Sequence, residues 1–258
     1  MRRRHLLHRF LTLLLGRAAA AASANATLPQ QRIRYILCLL GPTGWLPTAA
    51  RRIAEFGQGF TLDREFSLET HDERMPASFG ASWNQVPPSH HDADRATLHE
   101  HGSVAYVLSP AVRPGHAVAT GAQALRLIDE LIADGALACK CDSAGIAHGA
   151  RRWRQLAGRL RAAAPAEHAA ILYQAFVRRP ISDEGILYSC GMHLLACPDI
   201  EYIGPRDTLA ATAIIDRTAR AVLAGQPLDL PHHPNLRYAG DFFFDNPWGY
   251  LRVDETEG

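Results

Sequence analysis

Long apolar runs are missing from this chain of 258 residues. None approaches the ~20 residues needed to span a bilayer, so no integral membrane segment is expected. Charge of one sign is missing too: Lys+Arg 27 against Asp+Glu 26 leaves a net charge of +1. No global field therefore favours nucleic acid or an anionic membrane. Cysteine is scarce and odd in number, five in all. A chain this long needs no disulfide staples, so these read as reduced, buried thiols. There is no Walker loop, no Rossmann glycine fingerprint, no His-Glu-x-x-His and no kinase signature, which removes the common enzyme classes and leaves no cofactor expected. Gly41-Pro-Thr-Gly44 is too short to cradle phosphate and reads as a tight turn.

What is present is ordinary for a globular domain: 47% hydrophobic and 21% charged residues, enough length for a proper core. Residues 1–31 form a basic leader, Arg2-Arg3-Arg4, followed by an Ala-rich linker. The charged-then-apolar order imitates an export signal over 1–26, but Arg17 interrupts the apolar stretch. The expected location is the cytoplasm, with export as the alternative.

Pattern then predicts strand 33–40, helix 46–56, strand 60–69, a long loop 70–91, a short helix 92–101, strand 104–108, a helix between Gly115 and Gly135, and strand 136–141. Strand-helix-strand-strand-helix-strand is a ferredoxin-like βαββαβ order, assigned to residues 32–142. A second, helix-rich half, 143–245, packs with it. Its expected elements are helices 146–160, 167–176 and 208–223, with strands 186–195, 200–203 and 236–244. Residues 246–258 read as a C-terminal tail. The expected class is α+β, mostly antiparallel, with 32–245 one domain.

Two blocks concentrate the chemistry. Residues 135–148 contain Cys139-Lys-Cys141-Asp142-Ser143 and His148, and residues 186–202 contain Cys190-Gly-Met-His193, Cys197 and Pro-Asp-Ile-Glu201. Cys190, His193 and Cys197 are the candidate metal ligands, but on a strand Cys190 and His193 point to opposite faces, so no metal is expected. Asp142, Ser143, His148, His193 and Glu201 are the candidate catalytic residues. Asp142 and Ser143 also suit the cap of the following helix, the preferred reading. The histidines at 90, 91, 99 and 101, with Asp92 and Asp94, read as a solvated surface. Arg151, Arg152, Arg154, Arg159 and Arg161 read as the wet face of an amphipathic helix. Tyr106 stands alone where RNA-recognition strands carry three aromatics, so no specific nucleic-acid partner is expected.

In order and spacing these blocks, with Trp153-Arg-Gln-Leu156 between them, resemble a bacterial family, domain of unknown function 4261, over about residues 32–245. The resemblance carries over no catalytic role, because the family has no agreed activity. This chain departs from it in its extra cysteines and long basic leader. The expected function is that of a non-enzymatic protein-interaction, accessory or immunity-like factor whose partner is another protein. The alternative is a hydrolase or metal-dependent enzyme using 142–148 and 190–201. Oligomeric state is not encoded in any pattern found here.

Overall fold

The computed structural model describes residues 33–83, 92–183, 186–205, 207–233 and 246–256. In chain order the elements are β1 (Ile36–Gly41), α1 (Leu46–Phe56), β2 (Thr61–Leu68), α2 (Met75–Ser82), α3 (Asp92–Glu100), β3 (Ser103–Leu108), α4 (Ala117–Ala133), β4 (Ala138–Cys141) and β5 (Ile146–His148). There follow α5 (Ala150–Ala162), α6 (His168–Phe176), β6 (Arg178–Asp183), β7 (Ile186–Cys190), β8 (Asp199–Ile203), α7 (Thr208–Leu223), β9 (His232–His233) and β10 (Tyr250–Asp254). The class is α+β, with two five-stranded, mostly antiparallel sheets.

The first sheet runs β2-β3-β1-β4-β5, every neighbour antiparallel. β1 is apolar without alternation because both its faces are covered. Leu37 and Leu39 face the main core under α1, α4, α5 and α6, while Cys38 and Leu40 face a second cluster with Met75, Phe79 and Leu98 of α2 and α3. Each fully buried Leu contributes roughly 1.5–3 kcal/mol of hydrophobic burial. Gly121 of α4 allows the closest approach, since a Cβ there would sit 2.6 Å from Tyr35 Oη and 3.1 Å from Leu172.

The second sheet runs β6-β7-β8-β10-β9, with β8 and β10 parallel and the other pairs antiparallel. The main core is continuous between the sheets, from Tyr35 and Leu125 to Leu194, Ile200 and Ile215. Tyr35 Oη donates to the Leu194 carbonyl at 3.1 Å, tying β1 to the second sheet's turn.

Several expectations need correction. The helix expected over 146–160 begins at Ala150, and Ile146–His148 is instead a strand pairing Cys139 with His148 and Cys141 with Ile146. Gly145, at φ 59°, reverses the chain after the turn Asp142–Ala144, and extended Gly149 breaks it again before the helix. The strand expected over 186–195 stops at Cys190, where Gly191 has φ 128° and a 3-10 turn, Met192–Leu195, follows. The loop 70–91 holds α2, whose first turn contains Pro76, a residue that starts helices as readily as it ends them. The strand expected over 236–244 lies outside the described residues. The tail is not merely a tail: its β10 lies between β8 and β9.

Candidate functional site

The first block owes its geometry to the alternation of β4. Cys139 and Cys141 face the main core, and Ala138 and Lys140 face the second cluster. Lys140 stands opposite Cys38, Cys38 opposite Tyr106 and Tyr106 opposite Asp63, so the four share one row across the sheet. Lys140 is buried, with Nζ 2.7 Å from Asp142 Oδ1, 2.6 Å from Ser78 Oγ and 5.5 Å from the centre of the Phe79 ring. Burial is the largest influence on this amine and pulls its pKa down. The Asp142 carboxylate and the neighbouring thiols outweigh it together, leaving the pKa above the ordinary lysine value. Lys140 is thus a held cation and is unsuited to act as a base toward Ser78.

Asp142 and Ser143 do not cap α5, whose N-terminal residue Gly149 is preceded by β5. Ser143 Oγ donates to the Arg34 carbonyl at 2.7 Å and accepts from the Ile36 amide at 2.8 Å, stitching the turn to the start of β1. His148 is buried on β5, its Nε2 donating to the Ala175 carbonyl at 3.0 Å and its ring edge-on to Trp153 at 4.7 Å. Trp153 Nε1 donates to the Cys139 carbonyl at 2.9 Å. Ser143 is therefore bonded to backbone rather than to His148, and no nucleophile–base pair forms between them.

The second block is organised by Asp199. Its Oδ1 accepts from Ser189 Oγ at 2.8 Å and from the Met192 amide at 3.1 Å, and its Oδ2 accepts from Asn246 Nδ2 at 2.8 Å. Ser189 Oγ accepts from the Ile200 amide at 2.9 Å, and Asn246 also donates to the Cys197 carbonyl at 3.0 Å. One carboxylate thus fixes β7, the turn and the chain entering β10. His193, on that turn, is buried, with Nδ1 3.8 Å from Asp199 Oδ2 and no hydrogen-bond partner for either ring nitrogen among the described residues. Glu201 is wholly buried, and its Oε2 accepts from Arg252 Nε at 2.9 Å and Nη2 at 2.7 Å across the parallel β8–β10 pair.

The thiols are inert. Burial, helped by the Asp142 carboxylate, pushes Cys38 and Cys141 up to about 12. Burial raises Cys139 and Cys190 well above the ordinary range, and Cys197 goes to about 11 by burial and then Asp199. A protonated thiol is neither nucleophile nor metal ligand. Among the described residues, no three His, Cys, Asp or Glu side chains converge as a metal site requires. No helix there is long and apolar enough to cross a membrane.

Two open grooves mark the described surface. One, of about 580 Å³, is lined by Asp129 and Ile132 of α4 and by Arg151, Arg154, Gln155 and Arg161 of α5. The other, of about 450 Å³, lies between Leu46, Pro47 and Ala50 of α1 and Leu62, Arg64 and Glu69. The candidates Asp142, Ser143, His148, Cys190, His193, Cys197 and Glu201 line neither. Ser78, Lys140, Asn246 and Arg252 were not among the candidates. Lys140 had a signal, since strand positions 140 and 142 share a face; the others depend on long-range pairing. Compared with known proteins, the chain matches no family model, no curated protein and no solved structure.

Proposed function

We propose that the chain is a non-enzymatic protein-interaction module, an accessory or immunity-like factor of the bacterial cytoplasm. The observation that carries this reading is the separation of candidate chemistry from accessible surface. Ser143 is bonded on both sides to the backbone of β1, Asp199 is committed to three internal donors, and the grooves open elsewhere, on helix faces. Substrate sites are usually concave and contain their convergent polar groups. The same proposal includes a ferredoxin-like first half, supported by the order β2-β3-β1-β4 with antiparallel neighbours. It also includes membership of the domain of unknown function 4261 family, supported by the two motif blocks.

The test is isolation of the full chain from its native host, followed by size-exclusion chromatography. One protein retained at equal stoichiometry is expected. Turnover of ester, amide or phosphoester substrates by the purified chain, lost on His193→Gln without loss of folding, would instead establish the hydrolase reading. That alternative draws on one observation, the buried and unbonded His193 beside Asp199.

A further inference from the structure

Resting on the interaction reading above, we propose that the outer face of α5, with its groove against α4, docks an acidic segment of the partner protein. The first support is charge. The chain as a whole is nearly neutral, yet α5 alone carries five arginines, of which Arg151, Arg154, Arg159 and Arg161 are exposed. One carboxylate of α4 answers them in the groove: Asp129 Oδ2 accepts from Arg161 at 2.5 Å, and its Oδ1 lies 3.7 Å from Arg154 Nε. Arg152 and Arg159 meet neutral amide oxygens, those of Gln155 at 2.8 Å and Gln174 at 2.7 Å. Arg152 is held below the ordinary arginine range by burial and then by the neighbouring Arg159 and Arg179. The face therefore carries more positive charge than its own fold neutralises, and carboxylates arriving from outside are its complement.

The second support is Gly158, in the middle of the same helix. Glycine inside a helix costs stability relative to alanine, so a fold keeps it where something must come close. Here a Cβ would meet nothing nearer than Arg161 Nη2, at 3.8 Å, so the chain's own packing does not ask for glycine. Residues 154 and 161 are four before and three after it, on the same helix face. Gly158 is a smooth spot framed by guanidinium groups, suited to the close approach of a partner's backbone.

The sheet edges argue for a helix face over strand addition. At the β2 edge, Asp63 Oδ1 accepts from the Glu65 and Phe66 amides and the register breaks. The edge strand β6 contains Pro180, which has no N–H, while β5 and β9 have three and two residues. Such edges are poor templates for an added strand. Nucleic acid is the lesser fit, because α5 offers no exposed aromatic on which a base could stack.

The test titrates the full-length chain with labelled poly-glutamate, in parallel with single-stranded polythymidylate of matched charge and with inorganic phosphate. Poly-glutamate is expected to bind, and Arg151→Glu with Arg154→Glu, or Gly158→Leu alone, to weaken it by about tenfold or more. Melting curves supply the control, because position 158 is open and Gly158→Leu is expected to fold. Binding that both variants leave unchanged overturns the proposal. So does polythymidylate binding more tightly than poly-glutamate, or phosphate alone accounting for the signal. If the folded wild type binds no probe, the acidic-partner assignment fails, while the interaction reading is still decided by its stoichiometric partner.

Discussion

Lys140 and Asp142, two residues apart where β4 gives way to its turn, form a largely buried ion pair with Nζ 2.7 Å from Oδ1. Asp142 thereby belongs to the interior of the first sheet's outer face, with Ser78 and Phe79, and not to a catalytic group with Ser143 and His148. Removing one member of such a pair leaves the other charge uncompensated.

Asp142→Ala should therefore destabilise the fold by roughly 2–3 kcal/mol, below the full cost of breaking a buried pair because Asp142 keeps some solvent contact. Lys140→Met combined with Asp142→Leu should recover most of that loss, since no lone charge is left behind. Urea denaturation of the three variants measures both. An Asp142→Ala midpoint equal to wild type would show that the pair is not structural.

His101 makes stability depend on pH. Its Nε2 accepts from the Asp72 amide at 3.0 Å and its Nδ1 donates to the Leu98 carbonyl at 2.6 Å, which uses the neutral ring. Burial, the leading cause, holds its pKa below the ordinary histidine value. Below about pH 6.5 the unfolded chain takes up a proton that the folded chain resists, so stability falls as pH drops through that point. Above it both states are neutral and this contribution is complete. Denaturation midpoints between pH 7 and pH 5 should decline in wild type and decline less in His101→Gln. Equal slopes would remove His101 as the cause.

Much of this architecture was legible from pattern, and the failures have physical reasons. β1, α1, β3, α4, α6 and α7 announce themselves by unbroken apolar runs or helical stripes closed by Gly or Pro. β5 was hidden because Ile146 satisfies a helical stripe with Trp153 and also faces the core from a strand. β10 was hidden because its partner β8 lies about fifty residues away and the pairing is parallel. For the site, the sequence located the right blocks but not their bonding. Asp199, the hub of the second block, was visible only as a residue between Pro198 and Ile200. Its donors, Ser189, Met192 and Asn246, come from three separate segments.

Asp199→Ala leaves those three donors without an acceptor in the interior. At about 1–3 kcal/mol for each buried group left unsatisfied, a loss of roughly 3 kcal/mol or more is expected. Asn246→Ala removes one bond to the carboxylate and one to the Cys197 carbonyl, and should cost less. Chemical denaturation ranks the two. Asp199→Ala at wild-type stability would contradict the structural role given to this network.

Two glycines should respond in opposite directions to the same change. Gly191 has φ 128° and a Cβ there would collide with the Phe176 carbonyl, so Gly191→Ala should cost at least about 1–3 kcal/mol. Gly158 is helical and open, so Gly158→Ala should stabilise by up to about 1 kcal/mol. Thermal melting of both variants measures the contrast. A destabilised Gly158→Ala would mean that packing, not a partner, explains the glycine.

The central claim is that the first block is scaffold for a binding module. Its most direct test is a paired measurement on Asp142→Ala with Ser143→Ala: thermal melting beside retention of the partner isolated from the native host. The account predicts a clearly lowered melting temperature, with the partner still held at equal stoichiometry by the protein that remains folded. Unchanged melting with the partner or an activity abolished would contradict it and place the working site at 142–148.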